Sequence, residues 1–123
     1  MSDEIVLTLP EQDEFRNVAH LVIGGLAVRL NLTFENLEDV QVALEGLLAR
    51  AAGEITVAVR LDDEGLGIRV GPFGCKALRA ELEDDRAEVG LRRVLETVSD
   101  GVEVRELEDG CWVDLRKTVE RVE

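Results

Sequence analysis

The chain has 123 residues, with 14 Lys+Arg against 27 Asp+Glu, a formal net charge of −13, and 46% hydrophobic residues. Phosphate binding needs a net basic surface, so nucleic acid is excluded as a main partner, and an anionic membrane is disfavoured on the same ground. The length and apolar fraction fit one globular domain over residues 1–123 with its own core, leaving open a basic protein partner or a small ligand in an enclosed site.

Glu4–Leu9 is a short β-rich run stopped by Pro10, which predicts a first strand. Asp13 is placed to cap a helix from Glu14 to Leu30, because Phe15, Val18, Ala19, Val22, Ile23, Leu26 and Leu30 recur at steps of three and four. Gly24-Gly25 predicts close packing or a bend within it. Thr33 is the next expected cap, and Leu37, Val40, Leu44, Leu47, Leu48 and Ala51 make an apolar stripe to about Ala52, where Gly53 ends the helix.

Residues Glu54–Leu61 alternate, with Ile55, Val57 and Val59 on one side. Asp62-Asp63-Glu64-Gly65 is the expected hairpin turn and Leu66–Val70 the returning strand, broken by Gly71-Pro72-Phe73-Gly74. A short helix over Cys75–Leu82 follows, then a charged connector, then a helix from about Glu88 to Val98. Val102–Leu107 and Cys111–Leu115 form a last hairpin, and the charged tail from Arg116 to Glu123 is expected to fray. Strands arriving in hairpin pairs with helices between them predict an α+β two-layer sandwich, a mostly antiparallel sheet with helices on one face.

The candidate chemistry is sparse. His20 is the only histidine and sits within the first helix, so a histidine-based metal site is not expected. Cys75 and Cys111 lie in no metal-like spacing; with the acidic start Met-Ser-Asp-Glu they are expected to be free thiols of a reducing cytoplasm. Cys75 follows a glycine turn and opens a helix, a setting that could lower a thiol pKa. Val18–Val28 is too short to cross a bilayer. Glu45 lies beside the apolar stripe of the second helix, with Gln41 and Ala49 one turn either side. Gly71, Gly74 and Gly90 precede or open helices, without the spacing or lysine of a phosphate loop.

Several segments, in order, carry a resemblance. They are Val6-Leu7-Thr8-Leu9-Pro10; Val18-Ala19-His20-Leu21-Val22; Leu30; Thr33 to Val40, continuing through Gln41-Val42-Ala43-Leu44 to Glu45; Gly90-Leu91-Arg92-Arg93-Val94-Leu95 with Val102-Glu103-Val104; and Trp112 to Lys117. Across nearly the whole chain they resemble the anti-sigma-factor serine kinases of bacteria, members of the GHKL (Bergerat-fold, HATPase_c) ATPase superfamily. The resemblance implies a cytoplasmic regulator of transcription by partner switching, binding a sigma factor or a STAS-type anti-anti-sigma partner. It also implies a homodimer through the N-terminal helix region.

The resemblance assigns a nucleotide pocket to Glu45, Ala49, Gly71, Gly74, Gly90 and Leu91, with the family's motifs altered at each box. Glu45 matches the family's basic glutamate, but Ala49 stands where an asparagine holds magnesium, and a methyl group cannot ligate that ion. Val70-Gly71-Pro72-Phe73-Gly74 lacks the aspartate that contacts adenine. Ala87-Glu88-Val89-Gly90-Leu91 keeps one glycine and sets Glu88 where phosphates would approach. Phosphoryl transfer depends on positioning and metal neutralisation. The expectation is therefore a binding protein with lost or weakened ATP binding, no metal and no cofactor. The alternative is an active ATP-dependent serine kinase in which Glu45 accepts the hydroxyl proton.

Overall fold

The computed structural model describes residues 3–12, 14–29, 31–63, 65–84 and 90–118. Its elements are β1 (Asp3–Leu9), α1 (Glu14–Arg29), α2 (Phe34–Leu48), β2 (Ile55–Asp62), β3 (Gly65–Phe73), α3 (Cys75–Glu83), α4 (Leu91–Val98), β4 (Gly101–Leu107) and β5 (Gly110–Lys117). The strands form one antiparallel sheet in the order β1-β2-β3-β5-β4. The predicted hairpins β2–β3 and β4–β5 are therefore neighbours, joined side by side through β3 and β5.

Alternation decides which sheet face is covered. Ile55, Val57, Val59 and Leu61 of β2, Leu66, Ile68 and Val70 of β3, and Cys111, Val113 and Leu115 of β5 are buried. Ala19, Ile23 and Leu26 of α1, Val40, Leu44, Leu47 and Leu48 of α2, Leu78 of α3, and Leu91 and Leu95 of α4 join them in one core. This is the α+β sandwich that the element order predicted. The opposite sheet face carries Thr8, Thr56, Arg60, Arg69, Trp112, Asp114, Glu103 and Arg105, as the pairing register requires. There Asp114 accepts from Arg69 Nε at 2.8 Å and meets Arg105 Nε at 2.5 Å. The Asp114 hydrogen bond, then its charge, raises the Arg69 pKa above its ordinary value.

Thr33 caps α2 as expected: its Oγ1 accepts from the Asn36 N–H at 3.1 Å. α2 stops at Leu48, with Ala49 as its C-cap, rather than running to Ala52. Gly53 has φ 111°, which ends any continuation. His20 and Gln41 tie α1 to α2: His20 Nδ1 hydrogen-bonds Gln41 Oε1, and Gln41 Nε2 donates to the His20 carbonyl at 2.9 Å. Lys117 of β5 ties the sheet to the helices, with Nζ 2.9 Å from Asp39 Oδ2 and 3.0 Å from the Val98 carbonyl.

Two expectations are corrected. The Gly-Pro-Phe-Gly run does not end β3 at Val70; the strand continues to Phe73 through an irregularity between Val70 and Phe73, with a cis Gly71–Pro72 bond. A bulge is where a strand tolerates proline, because the missing N–H is out of the ladder. Cys75 and Cys111 are not free thiols but a disulfide joining the first turn of α3 to β5. The expected cap at Asp13, Leu30 at the end of α1, the turn residue Glu64, the connector residues 85 and 86, residues 88 and 89 of the expected start of α4, and the tail from 119 lie outside the described residues.

Candidate functional site

Glu45 and Ala49 are both exposed, one turn apart at the C-terminal end of α2. Between them, a Cβ on Gly46 would lie 3.5 Å from Leu91 Cδ1, so this stretch of α2 runs against the start of α4. Gly90 is the N-cap of α4, without a side-chain cap bond, and Gly74 is the exposed N-cap of α3. The fold thus gathers Glu45, Ala49, Gly90 and Leu91 around the α2–α4 contact.

It treats two of the candidates differently from the expectation. Leu91 is 1% exposed, so its side chain belongs to the core and offers a ligand nothing but the backbone. Gly71 pairs with Thr56 on the sheet face away from the helices. A Cβ there would come within 2.6 Å of Trp112 Cδ2 and 2.8 Å of Cγ, so Gly71 is the seat of the indole ring. Gly71→Ala is expected to cost about 1–3 kcal/mol, since the ring must move in a packed site. Trp112 is the only tryptophan and there is no tyrosine, so its emission spectrum reports the displacement directly. Gly74→Ala, with nothing within 4 Å, is expected to stay within about 0.5 kcal/mol. Equal melting temperatures and spectra for the two variants would disprove this packing.

Arg50, which sequence reasoning passed over, follows Ala49 directly. Its Nη1 donates to the Gly46 carbonyl at 2.8 Å, and its Nε lies 3.3 Å from Glu81 Oε2 of α3. A cation at the C-terminal end of a helix is favoured by the dipole. Its signal in the sequence was the spacing of four from Gly46 at a helix end. The local donor set is therefore one carboxylate at 45, a methyl group at 49 and a guanidinium at 50. Magnesium asks for several oxygen donors in octahedral array. These side chains do not fit that ion. The residues 85–89, which include Glu88, lie outside the described part, so the third box is described only at Gly90 and Leu91.

No protein-family model matches the chain. Among curated proteins it is similar to the serine-protein kinase RsbW of Listeria innocua, 28% identical over 99 residues that cover 73% of this chain and 61% of that protein. The serine-protein kinase RsbW of Halalkalibacterium halodurans is 30% identical over 87 residues, 71% of this chain and 45% of that protein. That of Oceanobacillus iheyensis is 26% identical over 81 residues, 58% and 51% of the two chains. The chain spans 45% to 61% of the length of these relatives. Over the matched residues, with the layers described above, it is an RsbW-like domain.

Proposed function

We propose that this RsbW-like domain is a cytoplasmic anti-sigma-type regulator that docks a sigma factor or a STAS-type anti-anti-sigma partner, with its nucleotide chemistry lost or weakened. The observation that carries this reading is the outward face of α1 and the start of α2. Leu21, Val28 and Phe34 are 76%, 77% and 75% exposed, while the same helix buries Ala19, Ile23, Leu26 and Ala27 on its inner side. A helix apolar on both sides is normally covered on both. A protein partner supplies that cover, and each such side chain gains roughly 1.5–3 kcal/mol on full burial. The net charge of −13 speeds encounter with a basic partner face. The donor set at 45, 49 and 50 supports the loss of magnesium–nucleotide binding. No described helix is long and apolar enough to cross a membrane. The homodimer that the resemblance implies, through the N-terminal helix region, is part of the same reading.

Two measurements test it. Sigma factors and STAS proteins of the same genome are expected to co-elute with the chain, and Leu21→Glu is expected to weaken that complex about tenfold or more with an unchanged melting temperature. Undiminished binding by the variant would remove α1 from the interface. In calorimetry, magnesium–ATP is expected to give no binding heat up to about millimolar nucleotide, and Ala49→Asn to recover some. Micromolar binding by the unaltered chain would instead favour the active serine kinase, with Glu45 as its base.

A further inference from the structure

A groove of about 500 Å³ lies between the helices and the edge of the sheet, lined by Leu82 and Glu83 of α3, Arg92 and Glu96 of α4, and Val102 and Val104 of β4. No described residue of α2 lines it, so it is separate from the contact that gathers Glu45 and Ala49. Its sheet side is an edge strand: among the described residues β4 pairs with β5 alone. Gly101 pairs with Arg116, and the neighbouring Asp100 N–H donates to the Arg116 carbonyl at 2.8 Å, so residue 101 directs its groups toward β5. Alternation then turns the N–H and C=O groups of Val102, Val104 and Glu106 outward. An open row of this kind is a template for another strand.

The same residues floor the groove. Val102 and Val104 pair with the buried Leu115 and Val113, so their side chains stand on the helix side of the sheet, partly buried together with Leu82. A strand added beside β4 would hydrogen-bond at these two positions, and the side chains of its bonded residues would fall over that apolar floor. Main-chain bonds supply affinity in such an addition, and the pocket for alternate side chains supplies specificity.

Charge narrows the occupant. The two arginines of the groove are satisfied within the chain: Arg79 Nη2 lies 3.4 Å from Glu106 Oε2, and Arg92 Nε lies 3.0 Å from Glu96 Oε1. The acids left over are Glu83, with no ion pair among the described residues, and Asp100. Asp100 accepts the Thr118 N–H at 2.6 Å, and that bond holds its carboxyl below the usual range, so it is ionised. An apolar floor with surplus negative charge suits a basic, apolar strand.

We infer that this groove takes an extended segment of a partner protein as a sixth strand beside β4, with apolar side chains at alternate positions and lysine or arginine next to Glu83 and Asp100. The surface is distinct from the outer face of α1, and the inference does not rest on the reading of that face.

The probe is a capped synthetic peptide of alternating valine and threonine with lysine at both ends, titrated into the whole chain by NMR. In the free chain the amides of Val102, Val104 and Glu106 are expected to exchange fast, and those of Glu103 and Arg105 slowly. Saturating peptide should protect the first set, with a Kd of roughly 10–100 μM. N-methylation of the peptide's valines, whose backbone faces β4, should abolish binding, whereas N-methylation of its threonines should leave it. Glu83→Lys is expected to raise the Kd about fivefold with an unchanged melting temperature, and Leu21→Glu to leave it unaltered. No protection up to about millimolar peptide overturns the inference, as does binding indifferent to which residues are methylated. So does protection that grows with the chain's own concentration in the absence of peptide, because a second copy then occupies the edge.

Discussion

Leu44→Ala is expected to destabilise the chain by about 3 kcal/mol, within the range of roughly 2–5 for a leucine deleted from a packed core. Leu44 is 1% exposed and lies in the middle of α2, in the same core cluster as Val57 and Val70 of the sheet and Leu95 of α4. Removing its branched end leaves a hole that two layers of structure cannot close by local adjustment. Leu21→Ala is the matched control. The side chain is the same, but it is 76% exposed on α1, so the cost is expected to stay within about 0.5 kcal/mol. In thermal melts of a chain this size, the first variant should fall by roughly 10 °C and the second should not move measurably. Equal shifts would mean that the inner and outer sides of the helices are wrongly assigned. A large loss at Leu21 alone would mean that α1 is already covered in the free protein, which bears directly on the partner face.

Both helical expectations rested on periodicity, and periodicity reports burial faithfully where one element meets one core. The stripe of Leu37, Val40, Leu44, Leu47 and Leu48 was legible, as was the Thr33 cap, because each depends on residues within a turn or two. The end of α2 was less so. Ala49 to Ala52 carry no helix breaker, and the actual stop at Leu48 is fixed by the turn that sends the chain into β2. β3 was read as ending at Val70, ahead of Gly71-Pro72, because a proline costs a ladder hydrogen bond. The irregularity between the Val70–Val113 and Phe73–Cys111 pairs, opposite Trp112, removes that cost, and it depends on β5 lying between β3 and β4. That insertion is a long-range event with no local signature. The same holds at the candidate site. The exposure of Glu45 follows from its offset from the stripe, whereas the seat of Trp112 on Gly71 requires the β3–β5 register. The resemblance assigned the boxes by their order along the chain, and that order carries no sign that Leu91 faces the core or that Gly71 faces away from the helices.

The free-thiol expectation failed for the same topological reason, and it leads to the second large effect. Phe73 pairs with Cys111 across β3 and β5, and Cys75 lies just beyond Phe73 at the start of α3. Two residues separated by 36 in sequence are thereby brought to a Cα–Cα distance of 5.0 Å and bonded. Closing a loop of that length in the unfolded chain removes conformational entropy worth about 3–4 kcal/mol. Cys75→Ser is therefore expected to lower stability by roughly that amount, and a reducing agent to lower the unaltered protein to about the same level while leaving the variant unchanged. Cys75 is the better position to replace, because Cys111 is 0% exposed and a hydroxyl there would add its own burial cost. α3 otherwise holds to the body through the buried Leu78, the partly buried Leu82 and the exposed pairs Arg50–Glu81 and Arg79–Glu106, the pairs being modest. Loss of the bond should thus appear first as faster amide exchange in α3 and only later as global unfolding. Thiol titration of the denatured, unreduced protein should find no free thiol. Two free thiols, together with a melting temperature indifferent to reductant, would return both sulfurs to the state expected of a reducing cytoplasm. In that case α3 would be held by Leu78, the partly buried Leu82 and its surface pairs, and its position beside the α2–α4 contact would be the least stable part of the helical layer.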